Sequence, residues 1–241
     1  MGVRAIRRAA VVVVAAVGLG LSAAACSSGS DSGASSQAEL TVKTAPEAAT
    51  LAKLPAKVAG AEIVVGDPAA PHTVTVYEDP RCPFCKHYEG GGATAVTRLA
   101  AEGKVKVRYT IASFLDANFG GGGSKRAVNA MRAAVEAGKF PEFHAAVFAS
   151  QPEKETDDAF TADNLLKIAD KVPGLRGAAF DKAVREDTYK AWVKSAEGAF
   201  EDSGVNGSPV ALIDGKKPAG DGRAIFDTQA FGKALAAAGV S

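Results

Sequence analysis

An alternating apolar run, Val74-Thr75-Val76-Tyr77, leads within a few residues to Cys82-Pro83-Phe84-Cys85, where a helical pattern begins. A C-x-x-C at a strand-to-helix junction, inside a strand–helix–strand unit, constrains both fold and chemistry and reads as a redox motif. Two cysteines three apart at a helix start bring both sulfurs to one side of the first turn. The first sulfur then faces the unpaired N–H groups of that turn and the positive end of the helix dipole. Both favour a thiolate, and thiols in such settings titrate at roughly 3.5–7.5 instead of about 8.5. Pro83 falls at the first helical position, where its missing N–H costs nothing. Cys82 is thus the expected exposed nucleophile. Cys85, one turn deeper, is the expected resolving cysteine. Two other readings stay open. A structural disulfide of this spacing closes a loop too small to constrain the unfolded chain much. Half of a zinc site needs two more ligands, and His72, His87 and His144 show no pairing at ligand spacing, so no metal is expected.

The chain has 241 residues, 47% of them hydrophobic, enough for one sizeable core with an insertion. Its formal net charge is +1, which gives no ground for a nucleic-acid partner. Of three cysteines, two form the motif and the third, Cys26, ends the leader. A disulfide-stapled scaffold is therefore excluded, and within the head Cys82 can pair only with Cys85.

Residues 1–25 read as a signal peptide. Arg4, Arg7 and Arg8 form a basic start, and Ala9 to Leu21 is uncharged and apolar but too short to span a membrane. Ala23-Ala24-Ala25 before Cys26 resembles a bacterial lipoprotein signal, in which the cysteine receives the lipid. Ala23 stands where a leucine is usual, and ordinary cleavage with a secreted product is the alternative. Residues 26–59 are expected to be a lipid-anchored flexible linker. Ser, Gly and Asp dominate its first part, and Pro46 and Pro55 break any long helix in its second.

The head, residues 60–241, has expected strands at Glu62–Val65, Thr73–Tyr77 and Lys104–Ile111, with the motif helix running from Cys82 to about Ala101. Gly90-Gly91-Gly92 should kink that helix, since each Gly costs up to about 1 kcal/mol against Ala. The glycine run Gly120 to Gly123 then precedes five helical patterns, an insertion of about 120–203, with Ser124 and Thr161 as N-caps. Alternation returns at Pro209–Ile213. Asp214-Gly215 makes a hairpin-type turn, a short strand lies near Arg223–Ile225, and Asp227 caps a last helix. The expected class is α/β, a thioredoxin fold with an inserted helical subdomain.

Three segments carry a more specific resemblance. They are Tyr77-Glu78-Asp79-Pro80-Arg81-Cys82-Pro83-Phe84-Cys85, Gly138-Lys139-Phe140-Pro141-Glu142-Phe143-His144, and Gly204-Val205-Asn206-Gly207-Ser208-Pro209-Val210 with Asp214-Gly215-Lys216. Over about residues 60 to 240 the chain resembles exported DsbA-like members of the thioredoxin superfamily, of the actinobacterial lipoprotein type. The resemblance implies a thiol:disulfide oxidoreductase with a Cys82–Cys85 redox disulfide and no cofactor. It also implies that Pro209 is cis and lies against the motif, and that Ser208 presents its backbone to an extended substrate. Pro83 and Phe84 add substrate contact. Asp79 matches an acid common in the family, for capping or for tuning the thiol pKa, with a solvated loop acid as the alternative. The Ser208 hydroxyl is expected to bond the Cys82 sulfur. The implied partners are exported proteins bearing cysteines and a membrane redox partner, with the head anchored at the outer face of the cell membrane. A disulfide reductase in cytochrome or metalloprotein maturation, and a non-catalytic binding lipoprotein, are the alternatives. His87, His144 and Trp192 are expected to be surface or packing residues.

Overall fold

The computed structural model describes residues 40–220 and 222–240. The leader, Cys26 and the first part of the expected linker lie outside them. Among the described residues no helix is long and apolar enough to cross a membrane.

Five strands form one mixed sheet in the order β1-β2-β4-β3-β5, namely β1 (Ala56–Ala59), β2 (Glu62–Val65), β4 (Val105–Ile111), β3 (His72–Glu78) and β5 (Val210–Ile213). β3 and β4 run parallel, in register from His72 opposite Val105 to Glu78 opposite Ile111. The crossover between them holds α2 (Pro83–Gly90) and α3 (Gly92–Ala101), so the predicted strand–helix–strand unit is present. The remaining pairings are antiparallel, with Tyr77 opposite Val210 where β5 joins β3.

The linker ends earlier than residue 59. A short helix, α1 (Ala48–Leu51), and β1 both belong to the head, and Ala45, Leu51 and Leu54 are buried in its core. Pro46 and Pro55 bound these elements rather than dissolving them. β1 alternates between half-buried and exposed positions, as an edge strand does, so its apolar signal is weak.

After β4 come α4 (Leu115–Phe119), which the sequence pattern did not announce, and then α5 (Gly123–Glu136), α6 (Phe140–Ala149), α7 (Ala162–Ala169), α8 (Ala178–Arg185) and α9 (Lys190–Asp202). These helices cover both faces of the sheet. Successive side chains of β3 point to opposite faces. Tyr77 meets Phe200 of α9 at 6.3 Å between ring centroids, while Glu78 meets His144 of α6. Thr161 caps α7 by accepting from the Asn164 amide. Ser124 does not cap α5. It lies inside the helix, and its hydroxyl donates to Asp79.

No strand forms at Arg223–Ile225. Asp214 and Gly215 turn the chain with φ of 47° and 76°, but only the isolated bridge Ile213–Lys216 follows. Residues Arg223–Phe226 instead make a 3-10 turn that leads into α10 (Thr228–Ala237), capped by Asp227. That turn explains the kink between α2 and α3. A Cβ on Gly91 would lie 2.2 Å from the Phe226 carbonyl oxygen, and one on Gly92 2.2 Å from that of Ile225. The two glycines mark a close backbone approach, not a loose helix.

Candidate active site

Cys82 is the N-cap of α2 and Pro83 its first helical residue. Cys85 is fully buried, and Cys82 keeps 6% exposure, so the nucleophile is more recessed than an exposed sulfur. Both are free thiols, which is the dithiol form of the pair. Their acidities are driven apart. The Cys82 pKa is lowered from its usual value to about 6, first by the hydrogen bond from the Cys85 thiol and further by Ser208 and the Cys85 and Phe84 amides, against the opposing effect of burial. Burial pushes the Cys85 thiol well up, and the nearby Cys82 and Glu78 add to this. The helix start thus supplies donors to one sulfur while the core suppresses ionisation of the other.

The Ser208–Pro209 peptide bond is cis. It brings the Ser208 carbonyl to 3.3 Å from Cys82 Sγ, which donates to it. Ser208 Oγ is buried without a hydrogen-bond partner among the described residues, although it lies close enough to favour both thiolates. Outside the thiols, Phe84 is 58% exposed and touches His87 and Phe226, at ring-centroid distances of 6.2 and 6.3 Å. Phe84, Phe226 and the Ser208 backbone form an apolar rim with one peptide edge.

The turn before Cys82 is held by buried polar groups. Asp79 accepts from the Arg81 amide at 2.9 Å, the Leu115 amide at 3.0 Å and the Ser124 hydroxyl at 2.6 Å. It is neither a solvated loop acid nor the cap of α2. It joins the motif turn to α4 and α5, and burial raises its pKa to about 7. Gln151 donates from Nε2 to the carbonyls of Pro80 and Cys82, at 2.7 and 2.9 Å. Arg81, fully buried, pairs with Asp116 at 2.9 Å and donates to the carbonyls of Gly120 and Glu155. Gly120 to Gly123 is therefore pinned. A Cβ on Gly121 would lie 2.5 Å from Asp158 Cγ, and one on Gly123 2.6 Å from its Oδ1.

The acid that faces the thiols is Glu78, not Asp79. Burial raises its pKa well above the usual value, and Cys82 adds to the shift. It shares the inward face of β3 with Val74 and Val76, so an acid at an inward position of an apolar alternation was the available signal. Gln151 carried no such signal, because only the fold brings it to the motif. His87 is exposed on α2, and Trp192 donates from Nε1 to the Gly60 carbonyl at 2.8 Å, both outside the site.

The model of the family described as Thioredoxin matches residues 58–224. No curated protein matches the sequence. Among solved structures, the chain is similar to the MdbA thiol-disulfide oxidoreductase of Actinomyces oris, at 22% identity and a TM-score of 0.63, covering 73% of this chain and 88% of that one. It is similar to MdbA of Corynebacterium matruchotii, at 23% identity and a TM-score of 0.58, covering 70% and 90%. It is also similar to oxidised BdbD of Bacillus subtilis, at 20% identity and a TM-score of 0.60, covering 82% and 100%. With a family model matched over most of its length, the chain belongs to the thioredoxin family, with a helical insert in the thioredoxin core.

Proposed function

We propose that this protein is an extracytoplasmic thiol–disulfide oxidoreductase that oxidises cysteine pairs in exported proteins. One observation carries the reading. Two thiols one helical turn apart have opposite acidity, Cys82 at about 6 and Cys85 well above its usual value. A structural disulfide has no use for that asymmetry, whereas exchange chemistry depends on it.

In the proposed cycle the resting enzyme holds the Cys82–Cys85 disulfide. A substrate thiolate attacks Cys82 Sγ, and Cys85 leaves with the bonding electron pair. The Cys85 thiolate takes a proton released by the substrate thiols or solvent, because burial makes it a strong base and the nearby Glu78 disfavours its charge. A second substrate thiolate then attacks the substrate sulfur of the mixed disulfide. The substrate disulfide forms and Cys82 departs as a stable thiolate. Two electrons have passed to the enzyme, and a membrane oxidant must remove them. Pro83, Phe84, the Ser208 carbonyl and Pro209 form the surface along which an extended substrate would lie. A lipid on Cys26 and the residues up to about 39 would hold the head at the outer face of the membrane.

The test is the reduction potential of the Cys82–Cys85 pair against glutathione. The proposal expects an oxidising value, well above the roughly −300 mV typical of stable structural disulfides. A value at or below that level would overturn the oxidase assignment. A value between those of thioredoxin and the cytosolic glutathione pool would assign the site to a reductase.

A further inference from the structure

His144, in α6, sits beneath the active-site helix between two glutamates. Its Nε2 is bonded to Glu78, and its Nδ1 lies 3.6 Å from Glu89 Oε2. One ligand-type atom from each of the three residues lies within 4.8 Å of the other two. His144 is 2% exposed and Glu78 0%. Several oxygens around this cluster are buried without a hydrogen-bond partner among the described residues, namely Glu78 Oε2, Glu89 Oε1, Glu47 Oε2 and the Tyr88 hydroxyl. An unpaired buried oxygen costs about 1–3 kcal/mol, and more when charged. Three of the four are carboxylate oxygens, and among the described residues only Glu47 has a cationic partner, Arg98, on its other oxygen at 2.8 Å, so the group calls for a further cation.

There is room for one. A cavity of about 30 Å³ is lined by Glu47, Glu89, Tyr109 and His144 among others. A cavity holds a water-sized guest from about 10–15 Å³ upward. Pro46, Glu89 and Ala145 also line a wider pocket open to solvent, which gives an entry path. Glu47 stands at the cavity edge with φ of 51°, a left-handed conformation that costs energy for a residue with a side chain.

We propose that this cluster binds one divalent transition-metal ion of the zinc class. His144 Nδ1 and the Glu89 carboxylate are the first ligands, Glu47 lines the same cavity with its Oε1 held by Arg98, and Glu78 holds the imidazole through Nε2. A separation of 3.6 Å between Nδ1 and the Glu89 oxygen suits the pair, since two ligands each about 2.1 Å from a tetrahedral ion sit about 3.4 Å apart. A carboxylate on the far nitrogen of a metal-bound histidine fixes the ring and raises its basicity. One imidazole with carboxylates favours zinc, iron or manganese over calcium, which takes oxygen ligands only. No cysteine of the C-x-x-C is a ligand, and Glu78 is the one residue shared with the thiol site above.

The experiment uses the full chain with the Cys82–Cys85 disulfide formed and Cys26 blocked by N-ethylmaleimide, so that no thiol is free. Titration calorimetry with zinc chloride at pH 7.5 should give one ion per chain. His144→Gln and Glu89→Gln should each weaken binding by more than about 100-fold, and Glu78→Gln by about 10–100-fold, the range seen for partners of metal ligands. Failure of the wild-type chain to bind zinc, or binding unchanged in both ligand variants, would overturn the site. X-ray absorption on the zinc-loaded wild type needs no variant. It should show an imidazole and oxygen shell, and a sulfur shell would overturn the assignment. Because the protein is oxidised and no turnover is read, the result stands apart from the oxidoreductase proposal.

Discussion

Cys82 Sγ and the Ser208 carbonyl oxygen lie 3.3 Å apart although 126 residues separate them in sequence. A carbonyl only accepts, so this contact engages the protonated thiol. The groups that favour the thiolate are others, with the Cys85 thiol first. Cys85→Ala should therefore raise the Cys82 pKa clearly above 6, and Cys85→Ser, which keeps a donor, should raise it less. The thiolate absorbance at 240 nm, followed against pH in the reduced variants, reads this directly. Equal midpoints in the two variants would show that the Cys85 donor is not the cause.

Ser208→Val tests the remaining contribution. The substitution keeps the carbonyl and removes the hydroxyl. Ser208 Oγ has no hydrogen-bond partner among the described residues, but its hydroxyl lies close enough to donate to the Cys82 thiolate once the proton has left. The Cys82 midpoint should rise by less than about one unit, one unit being about 1.4 kcal/mol. An unchanged midpoint would remove the hydroxyl from the account.

The depressed Cys82 pKa also fixes a pH dependence. A group whose folded pKa lies below its unfolded value stabilises the fold above the unfolded value and loses that contribution as pH falls through the folded one. The contribution of Cys82 to the dithiol form is thus complete above about 8.5–9 and lost as pH falls through about 6. The disulfide form has no such thiol. The stability gap between dithiol and disulfide forms should move in favour of the dithiol as pH rises from about 6 to 9, measured by urea unfolding of each. A flat gap over that window would contradict the shift.

Gln151 gives a prediction on stability rather than acidity. Its amide serves two buried carbonyls, those of Pro80 and Cys82. Gln151→Leu leaves the Pro80 carbonyl without its donor, at about 1–3 kcal/mol, while the Cys82 carbonyl keeps the Cys85 and Lys86 amides. The urea midpoint should fall accordingly, and iodoacetamide should reach Cys82 faster because the turn before it is freed. A variant as stable as the wild type would mean that the Pro80 carbonyl finds another donor.

Local signals carried most of the core. β2, β3, β4 and β5 stood out by alternation, the motif helix by its cysteines and Pro83, and α5 to α9 by helical spacing. β1 was hidden because an edge strand needs little apolar surface, and Ala56-Lys57-Val58-Ala59 resembles linker composition. The strand expected at Arg223–Ile225 failed for the opposite reason. Its short apolar pattern is satisfied by packing a 3-10 turn on Gly91 and Gly92, a contact that no local pattern encodes. At the site, Cys82 and Cys85 were legible from motif and spacing, and Pro209 from the family resemblance. Glu78 was visible as an inward acid, but its partners His144 and Glu89 come from other helices, and Arg81, Gln151 and Asp116 meet only through the fold.

Neighbouring glycines in the motif helix should behave oppositely. At Gly90 a Cβ meets nothing within 4 Å, and the residue ends α2. Gly90→Ala should be neutral or stabilise the protein by up to about 1 kcal/mol, because alanine loses less entropy in a helix. At Gly91 a Cβ would lie 2.2 Å from the Phe226 carbonyl oxygen and 2.9 Å from that of His87. Both neighbours are backbone, so relief requires moving the 3-10 turn that carries Phe226. Overpacking of this kind costs about 1–3 kcal/mol. Gly91→Ala should therefore destabilise the fold by at least that much. It should also displace Phe226 from Phe84, which weakens binding of a peptide carrying an apolar residue beside its cysteine. Urea unfolding and peptide affinity, measured on both variants, separate the two glycines. If both substitutions proved neutral, the segment would be the loose helix that three consecutive glycines suggest by composition alone.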